Sequence, residues 1–300
     1  MNTLKISLDW TPNANHAGFF VAEKLGFYEQ EGLQVHIIHP GNDNYTVTPA
    51  KKLETGEADL ALTPSESVIS LNTKAKPFAA KAIAALLQED LSAIVTLQSS
   101  GISRPQLLDG KHYASYKARY EDEIIRQMVI NDGGTGAIQI IYPEKLGIWD
   151  TLLAGKADAT WIFANWEGVE AEEKGIALNY FRLSDYGIPY GYSPVIVADQ
   201  AKIDARREVY QAFLRALKKG FLYAKENIAE SAAILKPLLS ERDQSYVLQS
   251  LEKTAPFYGT AQSWGVMQPE KVKAFLQWLQ ARELEPHAER LLDRFSNELL

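Results

Sequence analysis

Residues 53–59 read LETGEAD and residues 152–158 read LLAGKAD, so one short pattern occurs twice in the chain. In both copies a helix-like stretch is followed by a glycine, and an Ala-Asp pair then leads into an apolar run. Glycine accepts the positive φ that commonly ends a helix, so each copy predicts a helix, a glycine cap and a strand. The two glycines, Gly56 and Gly155, are 99 residues apart, which is too far for a solenoid repeat. We expect the same step once in each of two similar lobes; the alternative is a chance match, because the pattern is short.

The residues around the first copy alternate between strand-like and helix-like patterns. Residues 4–8 have the period of a strand, residues 16–29 are typical of a helix, and residues 34–39 are a second strand-like run. A helix over 48–55 and a strand over 58–62 complete the series. This β-α-β-α-β order favours parallel strands joined by crossover helices, which is the α/β fold class.

Two extended segments, residues 92–97 and 194–198, mark the places where we expect the chain to pass from one lobe to the other. Each lobe is predicted to hold a mostly parallel sheet with flanking helices, and the chain from Asp204 onward is predicted to be largely helical. A hinged, two-lobed arrangement predicts a ligand cleft between the lobes. The predicted boundaries are 1–96 plus 194–300 for lobe 1 and 97–193 for lobe 2.

The composition excludes several classes of protein. The chain has no cysteine, which excludes disulfides, thiolate metal sites and cysteine nucleophiles. Its net charge of -7 is not the basic footprint of a nucleic-acid-binding protein. No run approaches the roughly 18 uninterrupted apolar residues of a membrane span, so we expect no direct membrane insertion. Residues 1–9 show no secretory leader: we expect a cytoplasmic protein if Met1 is the native start, and a periplasmic or cell-surface protein if a leader was removed.

The stretch DWTPNANH at residues 9–16 follows the first predicted strand. Ligands of open α/β sheets bind beyond the carboxyl ends of the strands. A carboxylate, an indole, two amides and an imidazole lie in this loop, and a plain connection needs neither the aromatic nor the imidazole group. We therefore predict that Asp9, Trp10, Asn13 and His16 bind ligand; the alternative is that Asn13 only caps a helix and Trp10 only fills the core.

A second stretch, WIFANWE at residues 161–167, follows the repeated step in the predicted second lobe. Its Trp161, Asn165, Trp166 and Glu167 again combine indoles, an amide and a carboxylate after a strand, so we predict that they bind ligand. The alternative is that Trp161 belongs to the core and Glu167 is a solvated residue in the first turn of a helix. Further candidates are polar or aromatic residues near strand ends or in an aromatic loop: Ser65, Glu66, Tyr116, Tyr190 and Tyr192.

The candidate residues indicate the type of ligand. They offer flat aromatic faces and carboxylates, and the nearby basic pair is Lys117 with Arg119. The chain has neither a Walker motif nor a GxGxxG run, so a phosphate cradle is not expected. This balance favours a flat heterocycle that donates hydrogen bonds, such as an aminopyrimidine. The five histidines lack metal-ligand spacing and no Gly-x-Ser-x-Gly run occurs, so we expect no metal, no cofactor and no catalytic residues.

Five motifs resemble the NMT1/THI5-like family in order and spacing. They are LDWTPNANH at 8–16, GEAD at 56–59, DGK at 109–111, NWEG at 165–168 and SPVI at 193–196. The resemblance covers roughly residues 4–255. It implies the two-lobed fold of type II periplasmic binding proteins, in agreement with the lobes expected from the repeated pattern.

Within that family the chain most resembles the substrate-binding proteins of ABC importers that take thiamine-pyrimidine precursors. The resemblance implies a monomeric, non-enzymatic protein that binds formylaminopyrimidine or hydroxymethylpyrimidine and has an ABC permease as partner. It further implies that Trp10 stacks on the pyrimidine ring and that Asp9 and Glu167 contact its amino edge.

Two alternatives stay open. The family also contains pyrimidine phosphate synthases that use pyridoxal phosphate, with a lysine and a histidine just after the strand equivalent to residues 59–62 and a cysteine-rich iron motif. Here Thr63 and Ser67 occupy those two positions and cysteine is absent, so no Schiff base can form there. The other alternative is a binder of sulfonate, nitrate or riboflavin, and the scarcity of cations argues against the two anions.

Overall fold

The computed structural model describes residues 1–239 and 241–300. Contacts divide the chain into two units: unit 1 comprises Met1–Asp90 with Gly191–Leu300, and unit 2 comprises Leu91–Tyr190. Each unit is built on a β-sheet with flanking helices, so the predicted α/β class is confirmed. Within the described residues, no helix combines the length and the apolar character that crossing a bilayer requires.

The strands form one sheet in each unit. In chain order they are β1 (Asn2–Ser7), β2 (Leu33–Ile38), β3 (Leu60–Thr63), β4 (Ala80–Ala85), β5 (Ser92–Leu97), β6 (His112–Ala114), β7 (Gln139–Ile141), β8 (Ala159–Phe163), β9 (Leu178–Phe181) and β10 (Val195–Asp199). The order is β2-β1-β3-β10-β4 in unit 1 and β7-β6-β8-β5-β9 in unit 2. In both sheets the first three strands are parallel and the fourth runs antiparallel to its two neighbours. The two sheets share one mixed topology in which four of the five strands run in the same direction, so the predicted mostly parallel sheets are confirmed.

The helices lie between these strands and fill the C-terminal part of the chain. In chain order they are α1 (Ala17–Lys24), α2 (Phe27–Gln30), α3 (Pro49–Glu54), α4 (Ser65–Thr73), α5 (Glu121–Asn131), α6 (Ile148–Leu153), α7 (Glu167–Glu173), α8 (Gln200–Ala205), α9 (Arg207–Glu226), α10 (Ile228–Leu235), α11 (Gln244–Thr254) and α12 (Pro269–Ala281). Short 3₁₀ helices occupy Ala14–His16, Pro40–Asn42, Gln98–Ser100, Pro105–Leu108, Lys145–Gly147, Leu183–Tyr186, Lys236–Leu238, Ala255–Tyr258 and Ala288–Arg294. The helical C-terminal part belongs to unit 1.

The repeated sequence pattern has the same structure in both units. It ends α3 and α6, and its glycine has a positive φ in both copies, 78° at Gly56 and 67° at Gly155. The aspartate three residues after each glycine accepts a backbone N–H from the neighbouring strand, at 3.0 Å from Lys5 to Asp59 and at 2.8 Å from His112 to Asp158. The strands β3 and β8 then begin. The two copies are therefore one structural step used at equivalent places in two sheets.

The helix predicted over 16–29 is broken in the structure. The helix α1 ends at Lys24, and Gly26 lies in the left-handed region with a φ of 72° before α2 begins. Apolar spacing alone did not reveal this break, although glycine is the residue that a left-handed position favours.

The strand β5 lies in unit 2, whereas the boundaries predicted from the sequence put residues 92–96 in the first lobe. It pairs antiparallel with β8 and β9 and fills the fourth position of that sheet. The strand β10 fills the fourth position in unit 1, between β3 and β4. Both antiparallel strands thus border the places where the chain passes between units, and pairing rather than sequence pattern decides which sheet each one joins.

In unit 1, the helices α1 and α9 pack at very short range because each has a glycine at the contact. A Cβ built on Gly220 would lie 2.1 Å from the carbonyl oxygen of Gly18, and one on Gly18 would lie 2.2 Å from the ring of Phe221. Phe19 adds edge contacts with Phe221 at a centroid distance of 5.8 Å. This packing fixes the start of α1, and with it the loop that follows β1.

Candidate functional site

The loop after β1 carries an aspartate whose carboxylate is held by a buried imidazole. Nε2 of His16 lies 2.8 Å from Oδ1 of Asp9. The His16 ring is fully buried, whereas the Asp9 side chain keeps 15% of its surface exposed. The carboxylate is thereby accessible with a fixed orientation, and His16 acts on it from the protein interior.

Asn13 serves as a local capping residue in the same loop. Its side-chain oxygen accepts the backbone N–H of Asn15 at 2.8 Å, and its side-chain nitrogen donates to the carbonyl of Thr11 at 3.0 Å. This is the capping alternative that the sequence left open. That Asn13 also contacts ligand stays a prediction.

Tyr45 joins this loop, although no sequence pattern singled it out. Its hydroxyl donates to the backbone carbonyl of Asp9 at 2.8 Å, and its ring lies 5.6 Å from that of Trp10 with an interplanar angle of 54°. Trp10 is half-buried. The Gly, Asn and Asp residues before Tyr45 are typical of a loop. They do not indicate which side chain of that loop contacts the residues after β1.

The segment that carries Tyr45 is held by a buried lysine. Lys52 is 2% exposed, and its Nζ donates to Oδ2 of Asp43 at 2.6 Å. The Lys52 hydrogen bond lowers the pKa of the Asp43 carboxyl. Burial is the main cause that lowers the pKa of the His39 imidazole, and the nearby His16 and Lys52 lower it further.

Ser65 and Glu66 begin α4 directly after β3, and both are buried. The backbone N–H of Ser65 donates to the carbonyl of Tyr192 at 3.0 Å. The Tyr192 hydroxyl accepts the backbone N–H of Gln268 at 2.9 Å, and Nζ of Lys271 lies 5.7 Å from its ring centroid. Tyr192 is only 1% exposed, so it anchors the residues that precede β10 to α4 and α12.

In unit 2, the predicted stretch 161–167 connects β8 to α7. Oε2 of Glu167 accepts the backbone N–H of Phe163 at 3.0 Å, so this carboxylate closes the turn between strand and helix. The ring of Trp161 lies 5.0 Å from that of Tyr190 at 62°, an edge contact. Asn165 and Trp166 lie in the turn and are buried.

Tyr116 lies in the loop between β6 and α5, which is organised by a buried carboxylate. Glu121 accepts the Tyr113 hydroxyl at 2.8 Å, the backbone N–H of Tyr116 at 3.0 Å and that of Ala118 at 3.2 Å. Burial raises the pKa of Glu121, while these hydrogen bonds act in the opposite direction. No sequence pattern predicted that Glu121 shapes this loop.

The basic pair of this loop contacts aromatic rings. Nζ of Lys117 lies 5.3 Å from the ring centroid of Tyr142, and the Arg119 guanidinium lies 5.3 Å from that of Tyr120. Across residues 1–239 and 241–300, no group of three or more His, Cys, Asp and Glu residues is arranged to hold a metal ion.

The candidate residues follow neighbouring strands within each sheet. In unit 1, Asp9 and Trp10 follow β1 and Ser65 and Glu66 follow its parallel neighbour β3. In unit 2, Tyr116 follows β6, and the 161–167 stretch extends from its parallel neighbour β8. Each set thus lies at the carboxyl edge of its own sheet, which is where ligands of α/β sheets bind.

The chain is similar in sequence to a known family and to several curated proteins. The family model described as NMT1/THI5 like matches residues 13–231. The chain is 28% identical over 297 residues to the formylaminopyrimidine-binding protein of Halalkalibacterium halodurans. The aligned part covers 94% of this chain and 86% of that protein. It is 24% identical to the 4-amino-5-hydroxymethyl-2-methylpyrimidine phosphate synthase of Legionella pneumophila, covering 86% of this chain and 82% of that one.

Solved structures similar to the chain share its fold at low identity. The alkanesulfonate-binding protein of Xanthomonas axonopodis pv. citri, bound to MOPS, has a TM-score of 0.75 at 13% identity, covering 99% of this chain and 98% of that one. The periplasmic nitrate-binding protein of Synechocystis has a TM-score of 0.73 at 12% identity, covering 100% of this chain and 87% of that one. The fold is therefore that of the periplasmic binding proteins, and the chain belongs to the NMT1/THI5-like family, as its sequence motifs predicted.

Proposed function

We propose that this chain is a solute-binding protein for a thiamine-related aminopyrimidine, either formylaminopyrimidine or hydroxymethylpyrimidine. The observation that carries the proposal is the pairing of an oriented carboxylate, Asp9, with the half-buried indole of the next residue, Trp10. The near full-length similarity to a formylaminopyrimidine-binding protein supports it.

The chemistry of these groups suits such a ligand. An aromatic side chain that stacks on a base contributes about 1–3 kcal/mol, and it does so without a charge on the ligand. A fixed carboxylate accepts a strong hydrogen bond from the amino group, and a second one from the adjacent ring nitrogen when that nitrogen is protonated. In this proposal Trp10 stacks on the pyrimidine and Asp9 accepts a hydrogen bond from its amino edge, while Glu167 is proposed as a ligand-binding residue of unit 2.

The main alternative is a pyrimidine phosphate synthase, since such enzymes are among the relatives. A Schiff-base enzyme needs a lysine amine at the reacting carbon. At the equivalent position this chain has Thr63, the last residue of β3, whose hydroxyl donates to the carbonyl of Pro64 at 3.1 Å. We therefore favour binding over catalysis, and turnover of pyridoxal phosphate is the result that would reverse this preference.

The solutes named for the similar structures include a sulfonate and nitrate, which are anions. Anion sites use guanidinium groups or free helix N-termini. In this chain Lys117 and Arg119 lie over aromatic rings, and the start of α5 carries the acidic residues Glu121, Asp122 and Glu123. This charge pattern favours a neutral or cationic heterocycle over an anion. An ABC permease is the partner proposed to receive the ligand, and a monomer is the proposed state.

A thermal-shift panel followed by calorimetry tests the proposal. The panel contains formylaminopyrimidine, hydroxymethylpyrimidine, thiamine, riboflavin, taurine, nitrate and pyridoxal phosphate. A ligand that binds only the folded state at 100 times its Kd stabilises that state by about 2.7 kcal/mol, so a pyrimidine is expected to raise Tm. A shift with taurine or nitrate alone would overturn the proposal, and consumption of pyridoxal phosphate would favour the synthase.

A further inference from the structure

Residues 39–48, between β2 and α3, are called here the Tyr45 segment. We propose that the ion pair between buried Lys52 and half-buried Asp43 fixes this segment, and that Tyr45 is thereby a positioning residue that orients Trp10 and determines ligand affinity in unit 1. The inference rests on the proposed function for the role of Trp10.

The backbone of the Tyr45 segment has an unusual conformation. Asn44 and Tyr45 are consecutive residues with positive φ, 52° and 58°. The left-handed region is disfavoured for residues with a Cβ, and asparagine tolerates it better than tyrosine does. Such a conformation persists where surrounding contacts determine it, and it tends to occur at functional sites.

The contacts that determine it are local and specific. The backbone N–H of Tyr45 donates to the carbonyl of Pro40 at 2.9 Å, and that of Thr46 donates to the carbonyl of Asp43 at 3.0 Å. The Lys52 side chain, followed by the backbone N–H groups of Val47 and Tyr45, lowers the pKa of the Asp43 carboxyl. Asp43 is therefore the residue around which the segment turns.

Lys52 holds this carboxylate from within the protein. Its side chain is 3% exposed, and Nζ lies 2.6 Å from Oδ2 of Asp43. The preceding Lys51 differs: its side chain is 56% exposed and its Nζ pairs with Glu54 at 3.1 Å. Burying an ammonium group is unfavourable unless it is paired, so the Lys52–Asp43 contact defines one position of the segment relative to α3.

The fixed segment delivers Tyr45 to the candidate site. Its hydroxyl bonds to the Asp9 carbonyl, and its ring contacts the Trp10 ring at 5.6 Å. One side chain therefore touches both residues proposed to bind the pyrimidine in unit 1. Loss of the ion pair would free Tyr45 to leave the left-handed region, and the Trp10 ring would lose its neighbour.

The test uses the full-length protein labelled with 5-fluorotryptophan. The chain has six tryptophans, and Trp10→Phe assigns the Trp10 resonance in the ¹⁹F NMR spectrum. The test variants are Lys52→Met, Asp43→Asn, their double variant and Tyr45→Phe. The matched controls are Lys51→Met and Tyr223→Phe, since Tyr223 also donates its hydroxyl to an acceptor, Oε2 of Glu230, on helices outside the site.

We expect the Trp10 resonance to shift or broaden in the test variants and to stay unchanged in both controls. Calorimetry with hydroxymethylpyrimidine and formylaminopyrimidine is expected to show Kd raised by about two- to tenfold in the test variants. The Kd of the double variant should equal that of the single variant that binds more weakly, because both substitutions remove the same contact. A stabilising role alone would change Tm without moving the Trp10 resonance.

An unchanged Trp10 resonance in folded Asp43→Asn and Tyr45→Phe would overturn the inference, and these two variants decide it even if Lys52→Met does not fold. If the unmodified protein binds neither pyrimidine, the proposed function fails, whereas the ligand-free ¹⁹F spectrum still tests the positioning of Trp10. A resonance that shifts without any change in Kd would contradict the claimed effect on affinity.

Discussion

Among single residues, the exposed carboxylate of Asp9 is oriented by a buried group, the imidazole of His16. The imidazole of His16 has no exposed surface, yet it sets the direction of a carboxylate that does. The sequence revealed both residues as candidates because they are polar and close together after a strand. The sequence does not show that Asp9 faces solvent and that His16 supports it, because the exposure of each side chain depends on packing.

Trp10 provides the sharpest single-residue prediction. Trp10→Ala should weaken binding of the pyrimidine by about 1–3 kcal/mol, which is about 5- to 150-fold in Kd, because a stacking face is lost. Tm of the ligand-free protein should change little, since the side chain is only half-buried. Calorimetry measures the first effect and differential scanning calorimetry the second. The affinity of Trp10→Phe should lie between those of the natural protein and Trp10→Ala. Equal affinity in all three proteins would show that Trp10 does not bind the ligand.

Glu167 tests the contribution of unit 2. Glu167→Gln keeps an oxygen that can accept the Phe163 N–H but removes the negative charge. Hydrogen bonds to charged groups contribute about 1.5–3 kcal/mol, so Kd for an aminopyrimidine should rise by at least tenfold. The matched control is Glu173→Gln, an exposed residue at the end of α7. Equal effects of the two substitutions would contradict a direct role for Glu167.

At the scale of elements, the contact between α1 and α9 depends on the absence of a side chain. Gly220→Ala would place a Cβ 2.1 Å from the Gly18 carbonyl, and because that atom is backbone the helices must separate. Overpacking of this kind costs about 1–3 kcal/mol, more than the roughly 1 kcal/mol that alanine gains in helix propensity.

Chemical denaturation measures this effect, and Gly147→Ala is the control. Among residues 1–239 and 241–300, no heavy atom beyond its chain neighbours lies within 4 Å of a Cβ at Gly147. The control is expected to leave the free energy of unfolding nearly unchanged. A Gly220→Ala variant as stable as the natural protein would mean that the two helices can separate without loss.

The link between α9 and the end of α2 gives a pH-dependent prediction. Glu31 pairs with Arg215 at 2.8 Å and with Lys219 at 3.3 Å, and the Arg215 hydrogen bond lowers the pKa of Glu31 below its ordinary 4.5. The pairs therefore stabilise the fold above that value, and their contribution is lost as the pH falls through the folded-state pKa.

Glu31→Gln should lower stability by about 0.2–1 kcal/mol at pH 7, as is usual for solvent-accessible pairs, and the difference should shrink on acidification below pH 4.5. Denaturant titrations of both proteins across that range measure it. Glu208→Gln, exposed in the first turn of α9, is the control. A difference that grows on acidification would contradict the sign of the pKa shift.

Elements were predictable where local chemistry decides them. The glycine caps at Gly56 and Gly155 and the strands after them follow from the sequence, because glycine accepts the left-handed backbone that ends each helix. The sheet that β5 joins was not predictable, because strand pairing is a long-range contact. The position of Tyr45 was not predictable either, because its left-handed backbone runs against the preference of tyrosine.

At the scale of the whole molecule, the two units differ in continuity. Unit 2 is one uninterrupted segment, Leu91–Tyr190, with its own sheet. Its apolar residues on β5 and β8 pack against those of α6 and α7, and the cluster includes Val95, Ile162, Leu152 and Ala171. A segment of this size with its own core can fold alone.

We therefore expect residues 91–190, expressed alone, to fold cooperatively. Far-UV circular dichroism and a dispersed ¹⁵N–¹H NMR spectrum measure folding, and thermal unfolding measures cooperativity. A fragment ending at residue 176, which lacks β9, is the control and should fold poorly. A disordered spectrum for the complete segment would mean that the unit depends on the rest of the chain.

The position of β10 between β3 and β4 affects how the protein is made on the ribosome. Synthesis proceeds from the N-terminus, and domains generally fold as units while the chain emerges. The strand β4 must wait for residues 195–199 before it gains its neighbour in the sheet, while every strand of the intervening unit has already been released. The strands of unit 2 are thus complete before the sheet of unit 1. Until β10 has been synthesised, the sheet of unit 1 has an open edge. During that time the nascent chain is most exposed to misassembly and to chaperones.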